Sequence, residues 1–451
     1  MRRAVLAMAA AAVLAAGAAA AQTAVAVEDA RRLAVALADQ GRSEEAAEVA
    51  VALLARNPED AAAWVVLARV RRGAGDAPGA LEAAERANAA AATDDERYAA
   101  SIEIAAANFV LERRLVAQFW LRRAAEVAPS EALRAAAIRN FRQVRAQTPW
   151  QFSFNLSVVP SSNVNNGSRE EVIEIAGLPF VLSGDARALS GIEISAGASA
   201  RYRFAGVNDL PAQLTFALAL QRVRLSDDAR AQAPDAEGSD YAYDAVEFGY
   251  GQVLSGRDNE AVWRLDTLVG RNWYGGEPLS NYARVGASVQ WPTGERAATA
   301  VSASVERQVR FDRDDRSAWV GRLDLRQVWQ TEDGGRLGVS GGVRRTASDS
   351  AEIDHRAVTA GVDYRFGEPV FAGATLDMGL SLERRVYDAS PFSVDGREDN
   401  RARVAATLGF PELDYYGFSP TVTFEAQRVD SNISLYQTDD YAVRVGIRSV
   451  F

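Results

Sequence analysis

The chain has 451 residues, 48% hydrophobic and 24% charged, and its 50 basic residues are all arginine against 60 acidic ones, for a formal net charge of −10. With no Cys, no Lys and a single His, it excludes disulfides, thiolate and Schiff-base chemistry, Cys-type zinc and iron–sulfur sites, a multi-His metal site and a phosphate loop ending in Lys. The acidic balance excludes nucleic-acid binding by bulk charge, and the length suits two domains.

Met1-Arg2-Arg3 forms a short positive start, an apolar run follows over residues 4–16, and Ala19-Ala20-Ala21 supplies a small-residue cleavage site. This is the layout of a secretory signal peptide over residues 1–21, with Gln22 opening the mature chain. Residues 22–149 are then rich in Ala, Arg and Glu with apolar residues at helical spacing, whereas residues 150–451 alternate with period two. Pro149 marks the change, because the residue before a proline is driven out of the helical region.

The helical half repeats itself. Ala30, Leu33, Ala34, Gly41, Ala46, Ala50 and Leu53 recur 34 residues later as Trp64, Leu67, Ala68, Gly75, Ala80, Ala84 and Ala87. A third pass, stretched by three residues after Tyr98, gives Ala117, Ala124 and Pro129, and residues 130–147 read as a closing helix. The period and the small residues resemble the tetratricopeptide repeat (TPR), in which each helix pair must stack on a neighbour to bury its apolar face. Trp64, Leu67, Ala68, Ala80, Ala84 and Ala87 are the expected packing residues, and the concave face of such an array is a surface for peptide or protein.

The second half divides into fourteen strands: 151–159, 191–204, 211–225, 242–254, 261–274, 280–291, 297–311, 317–330, 335–348, 354–366, 374–387, 399–413, 418–430 and 440–451. Each is long enough to cross a bilayer when tilted. In the last strand Tyr441, Val443, Val445, Ile447 and Phe451 share one face, and Arg444, Gly446 and Arg448 the other. In the eighth, Trp319, Leu323, Leu325 and Trp329 oppose Arg322, Asp324 and Arg326. Apolar residues on one face and charges on the other suit a lipid-facing wall around a polar lumen. Short connections (205–210, 255–260, 292–296, 331–334, 367–373, 414–417) alternate with longer ones (160–190, 226–241, 348–353, 388–398, 431–439), which places the long loops outside the cell. Aromatics gather at both ends, with Trp150, Trp263, Trp291, Trp329, Phe410 and Tyr415 on the inner side and Trp273, Tyr274, Tyr282, Trp319, Tyr387 and Tyr441 on the outer. Arg271, Arg307 and Arg428 fall in apolar registers near strand ends, where they can snorkel to the interface. The expected fold is therefore an α-helical TPR-like solenoid followed by a 14-stranded antiparallel transmembrane β-barrel in the outer membrane.

Little catalytic chemistry remains. Asp227/Asp228 and Asp314/Asp315 read as solvated loop acids, and His355 as a lone surface residue. Arg264, Asp266, Arg322, Asp324, Arg326, Glu383, Arg444 and Arg448 fall in the lumen register, where they form a satisfied polar network or line a path for polar or polypeptide cargo.

Two segments carry a family resemblance. Pro149-Trp150, followed by Val159-Pro160-Ser161-Ser162-Asn163-Val164-Asn165, resembles the start of the barrel in surface lipoprotein assembly modifiers. Ser431-Asn432-Ile433-Ser434-Leu435-Tyr436, with the last strand to Phe451, resembles its end, and the terminal Phe resembles the signal read by barrel insertion machinery. The resemblance implies a translocon-like protein with no enzyme activity and no cofactor. Its partners would be membrane lipid, a lipoprotein or secreted-protein cargo, a periplasmic chaperone and the insertion machinery. A solute-conducting porin and a non-catalytic outer-membrane scaffold or adhesin are the alternatives.

Overall fold

A computed structural model describes residues 26–449 apart from 176–177, 256–260, 414 and 417. The expected signal peptide and Phe451 lie outside the described residues. The chain divides into two compact units, after Gln147.

Among its described residues the first unit holds seven helices: α1 (Val27–Asp39), α2 (Ser43–Arg56), α3 (Ala61–Gly73), α4 (Ala77–Ala90), α5 (Asp94–Val110), α6 (Arg114–Glu126) and α7 (Glu131–Gln147). They pack as successive antiparallel pairs with α7 closing the array, as the period requires. The interfaces are built from alanine: Ala34, Ala46, Ala50, Ala68, Ala83, Ala84 and Ala87 are fully or almost fully buried, with Leu37, Leu53 and Leu67 between them. The hairpin turns repeat too. Arg42, Asp76 and Arg113 each donate a backbone bond five residues back, to Leu37, Arg71 and Asn108, around a left-handed residue. That residue is Gly41 and Gly75 in the first two turns but Glu112 (φ 60°) in the third. The three-residue stretch lengthens α5 by one turn, to 17 residues against 13 in α3. Two buried acids tie repeats together. Asp60 caps α3 by accepting from the Ala63 amide and pairs with Arg31 at 3.0 Å, and Glu103 of α5 accepts from Arg69 and Arg72 of α3, both at 3.1 Å. Trp64 is part-buried and donates its indole N–H to the Pro58 carbonyl, under the Arg86 guanidinium.

The second unit is a closed antiparallel barrel of fourteen strands. These are β1 (Trp150–Ser161), β4 (Gly191–Ala205), β5 (Pro211–Leu225), β6 (Tyr243–Val253), β7 (Val262–Tyr274), β8 (Glu277–Gly294), β9 (Ala297–Arg310), β10 (Ala318–Gln330), β11 (Arg336–Ser348), β12 (His355–Arg365), β13 (Thr375–Tyr387), β14 (Arg397–Gly409), β15 (Phe418–Ser431) and β16 (Thr438–Ser449). Each coincides with an expected strand, and each pairs with its chain neighbour until β16 closes on β1. Among the described residues no helix is long and apolar enough to cross a membrane; the strands do that work.

Several details depart from the sequence reading. A hairpin, β2 (Val172–Ile175) with β3 (Leu178–Val181), and a one-turn helix α8 (Asp227–Gln232) stand in the long loops. Strand β14 ends at Gly409, four residues early, because Pro411 opens a 3₁₀ turn. The β7–β8 connection at the long-loop end is only Gly275-Gly276, both at positive φ, a two-residue turn of the primed type. Of the outer aromatics, Tyr274 and Tyr282 take the lumen register: Tyr274 pairs with Tyr243, and Tyr282 donates its hydroxyl to Glu247 at 2.9 Å. Tyr387 pairs with Arg397 and also faces inward. A phenol oxygen seeks a polar partner, and the register supplies one only inside. His355 is half-buried rather than surface-exposed: its Nδ1 donates to the Ile353 carbonyl at 2.7 Å and its ring lies against Tyr387.

Candidate functional site

The strands give the barrel wall two chemically distinct faces. Phe154, Val305, Leu323, Leu325 and Val445 are each more than half exposed on the outer face, where lipid would cover them. Trp319 and Trp329 lie on that face ten residues apart on β10. At roughly 3.3 Å per residue and a tilt of about 40° they are ~25 Å apart along the barrel axis, the height of an outer-membrane apolar band.

The inner face holds the charges, and the expected lumen residues do not form one satisfied network. Glu383 gathers three guanidiniums, from Arg344 (2.9 Å), Arg385 (2.5 Å) and Arg401 (3.9 Å). Arg326 reaches over one strand to Asp363 at 2.6 Å. Arg264, Asp266, Arg322 and Asp324 share the inner register yet make no ion pair among the described residues. The reason is width: fourteen strands enclose more room than side chains fill, so water can solvate what pairing does not. Arg444 donates to the Ser157 hydroxyl at 3.3 Å, from β16 to β1, and Arg448 pairs with Ser419 in the β15·β16 register.

The β1·β16 seam differs from the rest of the wall. Its register is carried by three partner pairs among the described residues: Ser157↔Gly446, Val158↔Val445 and Ser161↔Ala442. On its other side β1 pairs with β4 without a break from Trp150↔Tyr202 to Ser161↔Gly191. The sequence supplies one cause. Ser162 donates its amide to Tyr441, so even-numbered residues of β1 aim their backbone groups at β16. Pro160 holds the next such position and has no N–H to give.

Above this seam the two segments of the family resemblance meet. Ser161 Oγ donates to Asp440 at 2.8 Å, and the Tyr441 amide donates to Ser162 Oγ at 2.9 Å. Asn163, only 4% exposed, donates to the carbonyls of Gly167 (2.9 Å) and Asp439 (3.3 Å), while its Oδ1 accepts from the Gly167 amide. Asn165 closes its own loop by donating to Asp185 and Arg187 and accepting from Leu189. Gly167 is obligatory there, since a Cβ would sit 2.3 Å from the Arg187 carbonyl oxygen. On the facing loop Asn432 accepts from the Glu398 amide and donates to Gly396, Ser431 caps the buried Ile433 amide, and Leu435 is half-buried. The Tyr436 ring covers the Arg397 guanidinium at 3.4 Å.

Residues that the sequence reading did not single out complete this latch. Arg169 donates to Gln437, Asp430 and Asp439, and its backbone amide to the Gln437 carbonyl. Burial opposes the Arg169 charge, but the hydrogen bonds to Glu170 and Asp430 and the field of Asp439 outweigh it and raise its pKa. Arg397, against Asp399 and between the Tyr387 and Tyr436 rings, anchors the other loop. No local pattern marks Arg169, because its partners across the seam lie 261 to 270 positions away. Among the described residues no group of His, Asp and Glu could hold a metal ion.

A closed fourteen-stranded barrel with an apolar outer band and a charged lumen defines an outer-membrane β-barrel protein. Residues 233–451, from the loop before β6 to the end of the chain, match the surface lipoprotein assembly modifier model. No curated protein matches the chain. Among solved structures it is similar to the type III secretion translocator chaperone SycD of Yersinia enterocolitica (17% identity, 27% of this chain and 84% of that one, TM-score 0.24). It is also similar to a bacterial polysaccharide outer membrane secretin (8% identity, 66% and 98%, TM-score 0.35) and an outer membrane channel from Pseudomonas putida F1 (11% identity, 66% and 95%, TM-score 0.34).

Proposed function

We propose that this protein moves a lipoprotein or a secreted protein across the outer membrane, and that passage uses the β1·β16 seam. The observation that carries this reading is the coincidence of two features at one place: the sparsely paired seam and the latch that closes its long-loop end. In a bilayer core every unpaired backbone group is costly, so the wall opens most cheaply where fewest pairs must part. The match of residues 233–451 to the surface lipoprotein assembly modifier model supports the same direction. The seven helices precede the short-turn end of β1 in the chain, so we place them in the periplasm, where the repeat array would receive cargo or a chaperone.

The test compares the surface-exposed proteins of wild-type cells with those of cells lacking this chain. Loss of one or more lipoproteins or secreted proteins from the surface, with their total amount preserved, is the expected result. A porin is the second reading, favoured by the unpaired charges of the lumen. An unchanged surface together with robust solute flux in proteoliposomes would replace export with that reading.

A further inference from the structure

The arginines of the lipid-facing register are distributed unevenly. Arg222, Arg345, Arg356, Arg384 and Arg428 lie near the long-loop end of their strands, each against an acid: Asp244, Asp354, Asp388, Glu398 and Asp430. Among the described residues no arginine takes that register at the short-turn end. Three further members break the pattern. Arg224 of β5, Arg271 of β7 and Arg307 of β9 also lie near the long-loop end, and none has a carboxylate within ion-pair distance among the described residues. Instead, Arg271 rests over the rings of Trp273 (5.3 Å) and Phe311 (5.1 Å), and Arg307 over Trp319 (5.4 Å).

The register brings Arg271 and Arg307 together. Arg271 pairs with Asn281 of β8, Asn281 with Val309 of β9, and Arg307 stands two pairs nearer the short-turn end than Val309. Two strand spacings and the two-residue offset put their backbones roughly 12 Å apart, within the joint reach of two arginine side chains. Asn281 lies exposed between them. Trp319, directly paired with Arg307, marks the upper edge of the apolar band, so both guanidiniums stand at headgroup level. The charges of two desolvated cations at a membrane interface require compensation, and the protein provides rings but no acid.

We infer that Arg271, Asn281 and Arg307, floored by Trp273, Phe311 and Trp319, form a site for the phosphate-bearing headgroup of a glycolipid in the outer leaflet. The guanidinium fork suits bidentate binding to phosphate, Asn281 adds a donor and an acceptor for sugar hydroxyls, and aromatic rings present flat apolar surface to sugar and acyl chain. The acid-paired arginines of the rim are neutralised by the protein itself; of the three without an acid, Arg271 and Arg307 share one ring-floored patch. The inference rests on the long loops facing outward and is independent of any export activity.

The test uses the full-length protein purified in mild detergent. Retained lipid is counted by native mass spectrometry after incubation with diphosphorylated lipid A, with dephosphorylated lipid A, or with inorganic phosphate as competitor. Wild-type protein is expected to retain the phosphorylated lipid, and Arg271→Ala with Arg307→Ala to bind it at least about tenfold more weakly, the loss of one charge-assisted hydrogen bond or more. The double Lys variant, which keeps the charge and loses the fork, falls between them. Arg345→Ala with Arg356→Ala, drawn from the acid-paired arginines, is expected to leave binding unchanged. Heat-dependent gel mobility verifies that each barrel is folded. Equal retention by the double Ala variant, equal retention of the dephosphorylated lipid, displacement by millimolar inorganic phosphate, or an equal loss in the Arg345/Arg356 variant would each overturn the site.

Discussion

The β1·β16 seam and the β8·β9 wall share one design and differ in one respect. Both face a Ser with a Gly on the lumen side: Ser157↔Gly446 at the seam and Ser304↔Gly286 in the wall. Both expose Val pairs to lipid, Val158↔Val445 and Val305↔Val285. Yet β8·β9 pairs from Ser280↔Arg310 through Trp291↔Thr299 without interruption, whereas the seam holds three partner pairs among the described residues and a proline where a donor belongs. At roughly 1 kcal/mol per absent hydrogen bond in water, and more in lipid, the seam is weaker by several kcal/mol. Chemically similar strand faces therefore do not imply equally strong walls. Strength is set by backbone pairing, and the loops restore at one end what the strands lack.

The largest effect expected from this contrast comes from locking it. The chain has no Cys, so engineered pairs are unambiguous. A Cβ at Gly446 lies 3.8 Å from the Ser157 Cβ, and one at Gly286 lies 3.4 Å from that of Ser304, at or close to disulfide spacing. Oxidised Ser157→Cys with Gly446→Cys is expected to abolish display of cargo at the surface and to regain it on reduction. Oxidised Gly286→Cys with Ser304→Cys is expected to leave display intact; equal loss in both would remove the distinction.

A smaller effect is expected from the latch. Asn163→Ala strips three hydrogen bonds from a buried position and should cost about 1–3 kcal/mol locally. Amide exchange at Tyr441 should then accelerate at least about tenfold, with Val305 in the wall unchanged. Uniform acceleration would mean that the loops hold the whole barrel rather than the seam. Smaller again is Pro160→Ala, which restores a donor facing β16. It should stabilise the seam by about 0.5–1.5 kcal/mol and slow cargo display, where faster display would show that pairing does not limit passage. The smallest lies outside the barrel. Glu112→Gly relieves a left-handed residue in the third helical turn and should raise the unfolding midpoint of the helical signal, by about 0.5–1 kcal/mol, without altering display.

Much of this fold is legible in the sequence because it is periodic. The 34-residue repeat and the fourteen alternating strands depend on spacings within one element, and Pro149 separates them. What escapes the sequence is non-local or small. Hairpin β2–β3 has only four residues per strand, too few to show an alternation. The three stretched residues of the third repeat are visible, but the residue they place at positive φ, Glu112, looks like any surface acid. Asn163 and Asn432 stand out as parts of motifs, yet nothing local says that one holds the last loop and the other the loop before β14. Arg169 looks like a solvated loop cation until the fold sets it between Asp430 and Asp439. Pairing in the lumen is overestimated for a physical reason: sequence gives the register of each charge but not the width of the space it faces.

The most direct test of passage at the seam is to ask what touches it during export. A photoreactive residue in place of Val445 in β16, and in a second strain in place of Val305 in β9, puts equivalent lipid-facing probes on seam and wall. With a cargo stalled in transit by a folded fusion, the account predicts that the Val445 probe captures cargo and the Val305 probe captures only lipid. Capture from both positions alike, or from neither while cargo still reaches the surface, would contradict it.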